Sequence, residues 1–253
     1  MPEQLLLFVI ALASNTLSAM AGGGAGLLQL PALIFLGLPF ATALATHKVA
    51  TVALGLGATI SHLRAGALNP RLSVWLLLWG VPGVVLGANV IVAIDPTLAK
   101  IALGLLTIGL GIYSWRRPQL GLAATSALPE GWRWWIGGAM LAFLGVLNGS
   151  LTSGTGLMVT LWLVRWFGMD YKQAVAHTLV LVGLVWNGTG AISLGLLTPP
   201  AWTWLPALLL GSVVGGYVGA VLARRGRNQL IKRLFEVVTV LTGIALLADA
   251  WLG

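Results

Sequence analysis

Apolar stretches bounded by glycine, proline and clustered charge recur along the chain at about 4–21, 25–41, 49–67, 72–93, 97–114, 133–150, 155–168, 174–197, 202–223 and 233–251. A helix needs about twenty apolar residues to cross about 30 Å of hydrocarbon, and several of these ten segments reach that length. The first, second and seventh are shorter, which predicts half-helices or re-entrant hairpins. Connections are tight except between Arg116 and Arg133, where Pro118, Gly121, Pro129 and the Trp132, Trp134, Trp135 cluster interrupt the pattern. The first segment follows Pro2 and Glu3 rather than a basic leader, so it reads as a retained membrane helix. The pattern predicts an all-α, polytopic helical membrane protein with a first repeat over 1–117, a cytoplasmic linker over 118–132 and a second repeat over 133–253.

Composition fixes the solvent. Of 253 residues, 58% are hydrophobic and 8% charged, whereas soluble domains carry about 25% charge. Twenty charges cannot coat a water-facing surface of this size, so most of the exterior faces lipid. The absence of cysteine removes disulfides, thiolate metal sites and thiol nucleophiles. A net charge of +8 would suggest nucleic-acid binding in a soluble domain, but in this chain it reads as a topology signal.

The two halves match at an offset of about 129 to 132 residues. Gly24-Ala25-Gly26 matches Gly154-Thr155-Gly156, and Gly37 to Phe40 matches Gly168 to Tyr171. Ala43, Ala45, Thr46 and His47 face Ala174, Ala176, His177 and Thr178. Gly66 and Pro70 face Gly195 and Pro199, and Gly83 and Gly87 face Gly215 and Gly219. Leu98 and Lys100 face Leu230 and Lys232, and Gly111-Ile112 faces Gly243-Ile244. Cytoplasmic loops carry the Lys and Arg excess. Placing Arg224, Arg225, Arg227, Lys232 and Arg233 inside assigns twelve of the fourteen cations to that face, leaving only Lys48 and Lys100 outside. That parity predicts repeats inverted relative to one another, each with a Gly-rich interrupted segment. Such repeats typify secondary transporters, whose site lies where the repeats meet near the midplane.

Candidate chemistry sits at the interruptions. The first carries Ser18, Gly22, Gly23, Gly24, Gly26 and Gln29; the second carries Asn148, Gly149, Ser150, Thr152, Ser153, Gly154, Thr155 and Gly156. Glycine lets the backbone leave helical geometry, and the amides freed at a half-helix N-terminus suit an anion. Thr46-His47-Lys48 opens the third segment and His177-Thr178 takes the matching place in the second half. Lys48 either snorkels to the outer surface or meets an anionic substrate. His47 and His177 either serve an oxyanion or a proton, or are buried and neutral. Asn187 either lines the path or bonds a neighbouring helix. His62 reads as interfacial and Arg165 as an inside-facing anchor. Gly83 and Gly87, and Gly211, Gly215 and Gly219, read as packing notches. The six acids lie in termini, in loops or near segment ends, a distribution that favours an anion over a cation as substrate. Trp75, Trp79, Trp115, Trp132, Trp134, Trp135, Trp202, Trp204 and Trp251 mark an interfacial belt.

The Gly22 to Gly26 interruption, Ala45-Thr46-His47-Lys48-Val49, Arg64-Ala65-Gly66 and the duplicated Ala-x-x-His-Thr element at Ala174 and His177-Thr178 resemble the TauE/SafE family of sulfite and organosulfur-anion exporters. Many members of that family carry Asn where this chain has His47. The resemblance implies a multi-pass protein of the bacterial cytoplasmic membrane that moves small anions, usually outward; the repeats point to alternating access, and His47, His177 and Lys48 make protons a candidate coupling ion. The expected substrate-binding residues are Gly22, Gly23, Gly24, Thr46, His47, Lys48, Asn148, Ser153, Gly154, Thr155, Gly156, His177, Thr178 and Asn187. No cofactor, metal, catalytic residue or nucleic-acid partner is expected. The alternatives are an anion channel and an intramembrane serine protease using Ser153 and His177. The protease reading is weakened by Leu151, which stands where a Gly-x-Ser-Gly motif needs glycine.

Overall fold

A computed structural model describes residues 2–63, 68–90, 96–124, 129–152 and 154–252. All regular structure among them is helical: α1 (Pro2–Ala21), a 3-10 turn (Ala25–Leu27), α2 (Gln29–Phe35), α3 (Phe40–Leu63), α4 (Pro70–Val90) and α5 (Pro96–Trp115) make the first half. The second half contains α6 (Trp132–Leu151), α7 (Thr155–Trp166), α8 (Tyr171–His177), a π-helix (Thr178–Trp186), α9 (Asn187–Gly195), α10 (Leu205–Arg225) and α11 (Asn228–Leu252). Six stretches among the described residues are long and apolar enough to cross a membrane: Glu3–Ala21, Ala41–His62, Pro70–Val90, Trp132–Leu151, Tyr171–Gly195 and Leu205–Arg225. Leu5, Leu78, Leu86, Leu105, Leu210 and Leu222 stand exposed on the outer faces, as lipid contact requires.

At 20 residues, α1 is a full-length helix rather than the short one expected. By contrast, α2 has 7 residues and α7 has 12, which at a rise of 1.5 Å per residue is about 10 and 18 Å. Neither crosses the hydrocarbon alone. Two further boundaries differ from the pattern. α3 begins at Phe40, so Thr46, His47 and Lys48 lie inside it rather than opening it. α11 begins at Asn228, so Lys232 lies one turn into a helix rather than in the connecting loop. In both places polar residues resemble a boundary in sequence, yet a helix retains them when another helix supplies partners.

The halves pack reciprocally. With α8, the π-helix and α9 counted as one span, the first helix of each half lies against the fourth of the other, α1 on α10 and α6 on α4. The fifth helices α5 and α11 pair, and α3 packs on the π-helix. Glycines make the closest crossings. A Cβ on Gly211, Gly215 or Gly219 would fall 2.4–2.7 Å from the carbonyl oxygens of Phe8, Leu12 and Thr16, and one on Gly83 or Gly87 would fall 2.0–2.2 Å from those of Ala142 and Val146. Lipid provides little hydrophobic drive between helices, so such backbone approach carries the association. Backbone conformation also recurs between halves: Gly24 and Gly154 are left-handed (φ 97° and 78°), as are Gly37 and Gly168 (φ 102° and 69°).

Several tryptophans gather where a belt would lie. Trp75 contacts Trp79, Trp134 and Trp135 between α4 and α6, and Trp115, Trp132, Trp202 and Trp251 are exposed. Trp186 is instead fully buried, its ring occupying the space that a Gly80 side chain would take.

Candidate functional site

The chain leaves helical geometry at two equivalent places. Gly22, Gly23 and Gly24 have φ of 84°, 141° and 97° after α1, while Thr152 and Gly154 have φ of 59° and 78° after α6. An L side chain at Gly23 would place its Cβ 2.6 Å from the Leu157 amide nitrogen, and one at Gly156 would come within 3.2 Å of the Gly23 Cα. The interruptions therefore cross backbone to backbone. Thr160 fixes the crossing: its hydroxyl lies 2.7 Å from the Gly22 carbonyl and 2.9 Å from the Thr178 hydroxyl. A carbonyl can only accept, so Thr160 donates to Gly22 and Thr178 donates to Thr160.

Beside this crossing is a small cavity of about 40 Å³. The first half contributes Ser18, Gly23 to Gly26 and the His47, Thr51, Leu54 face of α3; the second contributes Asn148, Thr152, Thr155, Gly156, Thr178, Leu179, Val182, Gly183 and Asn187. The 12-residue α7 starts at its wall, so the unpaired amides and positive dipole end of a half-helix face it. Its polar lining is hydroxyl, amide, imidazole and backbone, with no carboxylate among the described lining residues. The buried His47 ring has no hydrogen-bond partner at Nδ1 among the described residues.

Lys48 lies directly behind the wall. It is completely buried, eight residues into α3 and so about 12 Å from that helix's start. Its Nζ donates to the Asn148 carbonyl at 2.7 Å, Asn148 Oδ1 at 2.9 Å and Asn187 Oδ1 at 3.3 Å. All three acceptors are neutral. Placing a lysine at the centre of a transmembrane helix costs about 2.5–3.5 kcal/mol on insertion scales, and these dipoles offset part of that without cancelling the charge. Gly190 makes room for the ammonium, since a Cβ there would lie 3.1 Å from Cε and Nζ. The bonds also orient the asparagines. Asn148 turns its Nδ2 to the Thr155 hydroxyl at 3.0 Å, and Asn187, whose oxygen faces Lys48, lines the cavity. Lys48 neither snorkels outward nor lines the cavity; its ammonium bonds Asn148 and Asn187, which do line it.

Among the expected site residues, Gly23, Gly24, His47, Asn148, Thr155, Gly156, Thr178 and Asn187 converge on the cavity. Ser153 lies outside the described residues. Gly22 and Gly154 set the backbone turns behind it. Thr46 is buried elsewhere and accepts from the Ala201 amide at 2.8 Å, holding the loop before α10. His177 is not a second His47: its Nε2 accepts from the Asn69 amide at 2.8 Å and its Nδ1 lies 2.8 Å from the Gln173 carbonyl. Both ring nitrogens are occupied in a neutral tautomer that ties α8 to the start of α4. Gln29 turns to Asn15, which also bonds Ser212, and so joins α1, α2 and α10. His62 stands in the last turn of α3 and is buried, with neither ring nitrogen hydrogen-bonded among the described residues. The expected site left out Ser18, Thr51 and Thr152. Thr51 stands four residues after His47 and shares its helix face, so the spacing could have found it. The π-helix has no comparable sequence signal, although π geometry is frequent at functional sites.

Residues 6–246 match the family model described as Sulfite exporter TauE/SafE. The chain belongs to this family. It is 28% identical over 246 residues to a probable membrane transporter protein of Haemophilus influenzae, covering 96% of this chain and 94% of that one. It is 29% identical to the probable membrane transporter protein ORF9 of a Sinorhizobium species (98% and 95% covered) and 26% identical to probable membrane transporter protein YfcA of Escherichia coli K12 (98% and 93%). As a TauE/SafE protein with six apolar spans among its described residues, it is a multi-pass membrane transporter for a small molecule.

Proposed function

We propose that the protein is a secondary transporter that carries a small oxyanion, such as sulfite or an organosulfonate, out across the bacterial cytoplasmic membrane by alternating access. The reading places the substrate at the junction of two inverted repeats, 1–117 and 133–253, joined by a cytoplasmic linker over 118–132. One observation carries it: both glycine interruptions supply backbone to a single cavity without carboxylates, backed by the buried, uncompensated charge of Lys48. Neutral donors hold an oxyanion by hydrogen bonds while Lys48 supplies positive potential through Asn148 and Asn187. Reciprocal packing of the halves supports the two-fold relation that alternating access uses. Outward direction and the sulfur oxyanion rest on the family description. The unpartnered Nδ1 of His47 at the wall makes it the proton carrier if transport is proton-coupled. Gly22, Thr46, Gly154 and His177 serve by holding the surrounding backbone.

Flux into proteoliposomes tests this. Sulfite or a small organosulfonate crosses saturably in the wild type, and Lys48→Met lowers the flux at least tenfold. Absence of flux for every small anion, under both a pH gradient and an applied voltage, would refute the reading; large unsaturable voltage-driven currents would replace the carrier with a channel.

A further inference from the structure

At the other end of α7 the molecule carries a second recess that shares no lining residue with the central cavity. It is a wide bowl of about 770 Å³ at the level where α5 ends, α6 begins and α7 ends, and its rim holds Arg117, Arg133 and Arg165 against the single carboxylate of Glu130. All three arginines are exposed, and each is oriented by an aromatic ring. The Arg117 guanidinium lies 5.6 Å from the Tyr113 ring centre, and that of Arg133 lies 5.3 Å from the Trp166 ring. Arg165 donates through Nε to the Tyr113 hydroxyl at 2.8 Å and lines the bowl.

A second space shares two lining residues with the bowl. Tyr113 and Arg165 also line a groove of about 260 Å³ whose other walls are Leu110, Met140, Leu144, Met158, Leu161 and Trp162. Leu144 is eleven residues along α6 from Arg133, a descent of about 16 Å at 1.5 Å per residue, or about half of a 30 Å hydrocarbon core. Polar and apolar spaces are thus stacked in the order and over the depth of one leaflet. A free oxyanion would satisfy the arginines and leave the groove without a counterpart. An amphiphile with an anionic head fills both.

We propose that Arg117, Arg133 and Arg165, with the apolar groove between α5, α6 and α7, hold one anionic glycerophospholipid, its phosphate on the arginines and one acyl chain along the groove. Basic pockets between transmembrane helices on the cytoplasmic side suit anionic headgroups, and that is the side to which the positive-charge bias assigns these arginines. The site holds lipid whatever anion the transporter carries, so it stands independently of the central cavity.

Native mass spectrometry of the full chain, released from detergent after mixing with phosphatidylglycerol or with phosphatidylcholine of the same acyl chains, tests the proposal. The wild type retains one phosphatidylglycerol at least tenfold better than phosphatidylcholine. Arg133→Gln with Arg165→Gln abolishes that preference, and Met140→Trp, which fills the groove and leaves the arginines intact, lowers retention by a similar factor. Each variant is compared as a monodisperse peak on size exclusion, and for any that fails this, the wild-type shift in Tm between nanodiscs of the two lipids decides the same question. Equal retention of the two lipids, or full retention by the arginine variant, overturns the proposal. Displacement by glycerol phosphate as effective as by phosphatidylglycerol, or full retention by Met140→Trp, overturns the acyl-chain half and makes the bowl a phosphate-ester site.

Discussion

Two buried lysines, in the same protein and the same solvent, are held in opposite ways. Lys232, 5% exposed, meets Glu236 one turn along α11 and donates to the Ser114 carbonyl at 2.6 Å. Ser114 in turn contacts the Tyr171 hydroxyl at 2.7 Å, so the charge closes within a hydrogen-bonded knot between α5, α8 and α11. Lys48 meets, among the described residues, only amide and carbonyl oxygens. The first arrangement neutralises its cation and fastens helices. The second leaves a cation with neutral partners behind a cavity wall lined by donors, the arrangement on which the proposed anion site rests. Burial alone therefore does not distinguish the two lysines; the charge of the partner does.

The most severe test converts one arrangement into the other. Asn187→Asp gives Lys48 a carboxylate of its own, and sulfite flux in proteoliposomes is expected to fall at least tenfold while the protein's Tm holds or rises; unchanged flux would mean that the Lys48 charge does not reach the substrate. The converse breaks the Lys232 knot. Glu236→Gln leaves a buried ammonium without its counterion, which costs about 3–5 kcal/mol of stability where such a pair is fully buried, and less here because Glu236 is partly exposed. It should lower Tm in thermal unfolding, whereas replacing both partners by Met and Leu should restore most of it. The mildest test acts through space around Lys48. Gly190→Ala puts a methyl 3.1 Å from Cε and Nζ and is expected to reduce flux severalfold, while Gly188→Ala, with open space around it, changes neither flux nor Tm.

Much of the fold was legible because helix length and lipid exposure are local properties. Apolar runs located the helices of both halves to within a few residues at most ends, and the left-handed glycines fell where the repeated motifs stood. The misplaced starts of α3 and α11 share a cause: Thr46-His47-Lys48 and Lys232-Arg233 read as ends because polar groups in lipid need partners, and those partners come from distant segments. Asn148 reaches Lys48 across 100 positions, and Ser114 reaches Lys232 across 118. The site was legible in part for the same reason. The glycine interruptions announced themselves, but the sequence could not separate His47, on the cavity, from His177, locked to Asn69 and Gln173.

The sequence by itself determined the solvent, the helical class and the places where helices break, since each follows from side-chain polarity or from the freedom of glycine at its own position. Only the tertiary structure decided which of the repeated groups face one cavity, which lysine is neutralised and which is left charged. Those outcomes depend on the crossing of helices more than a hundred residues apart, where an ångström of backbone approach between Gly23 and Gly156 or a single amide oxygen from Asn187 sets the environment.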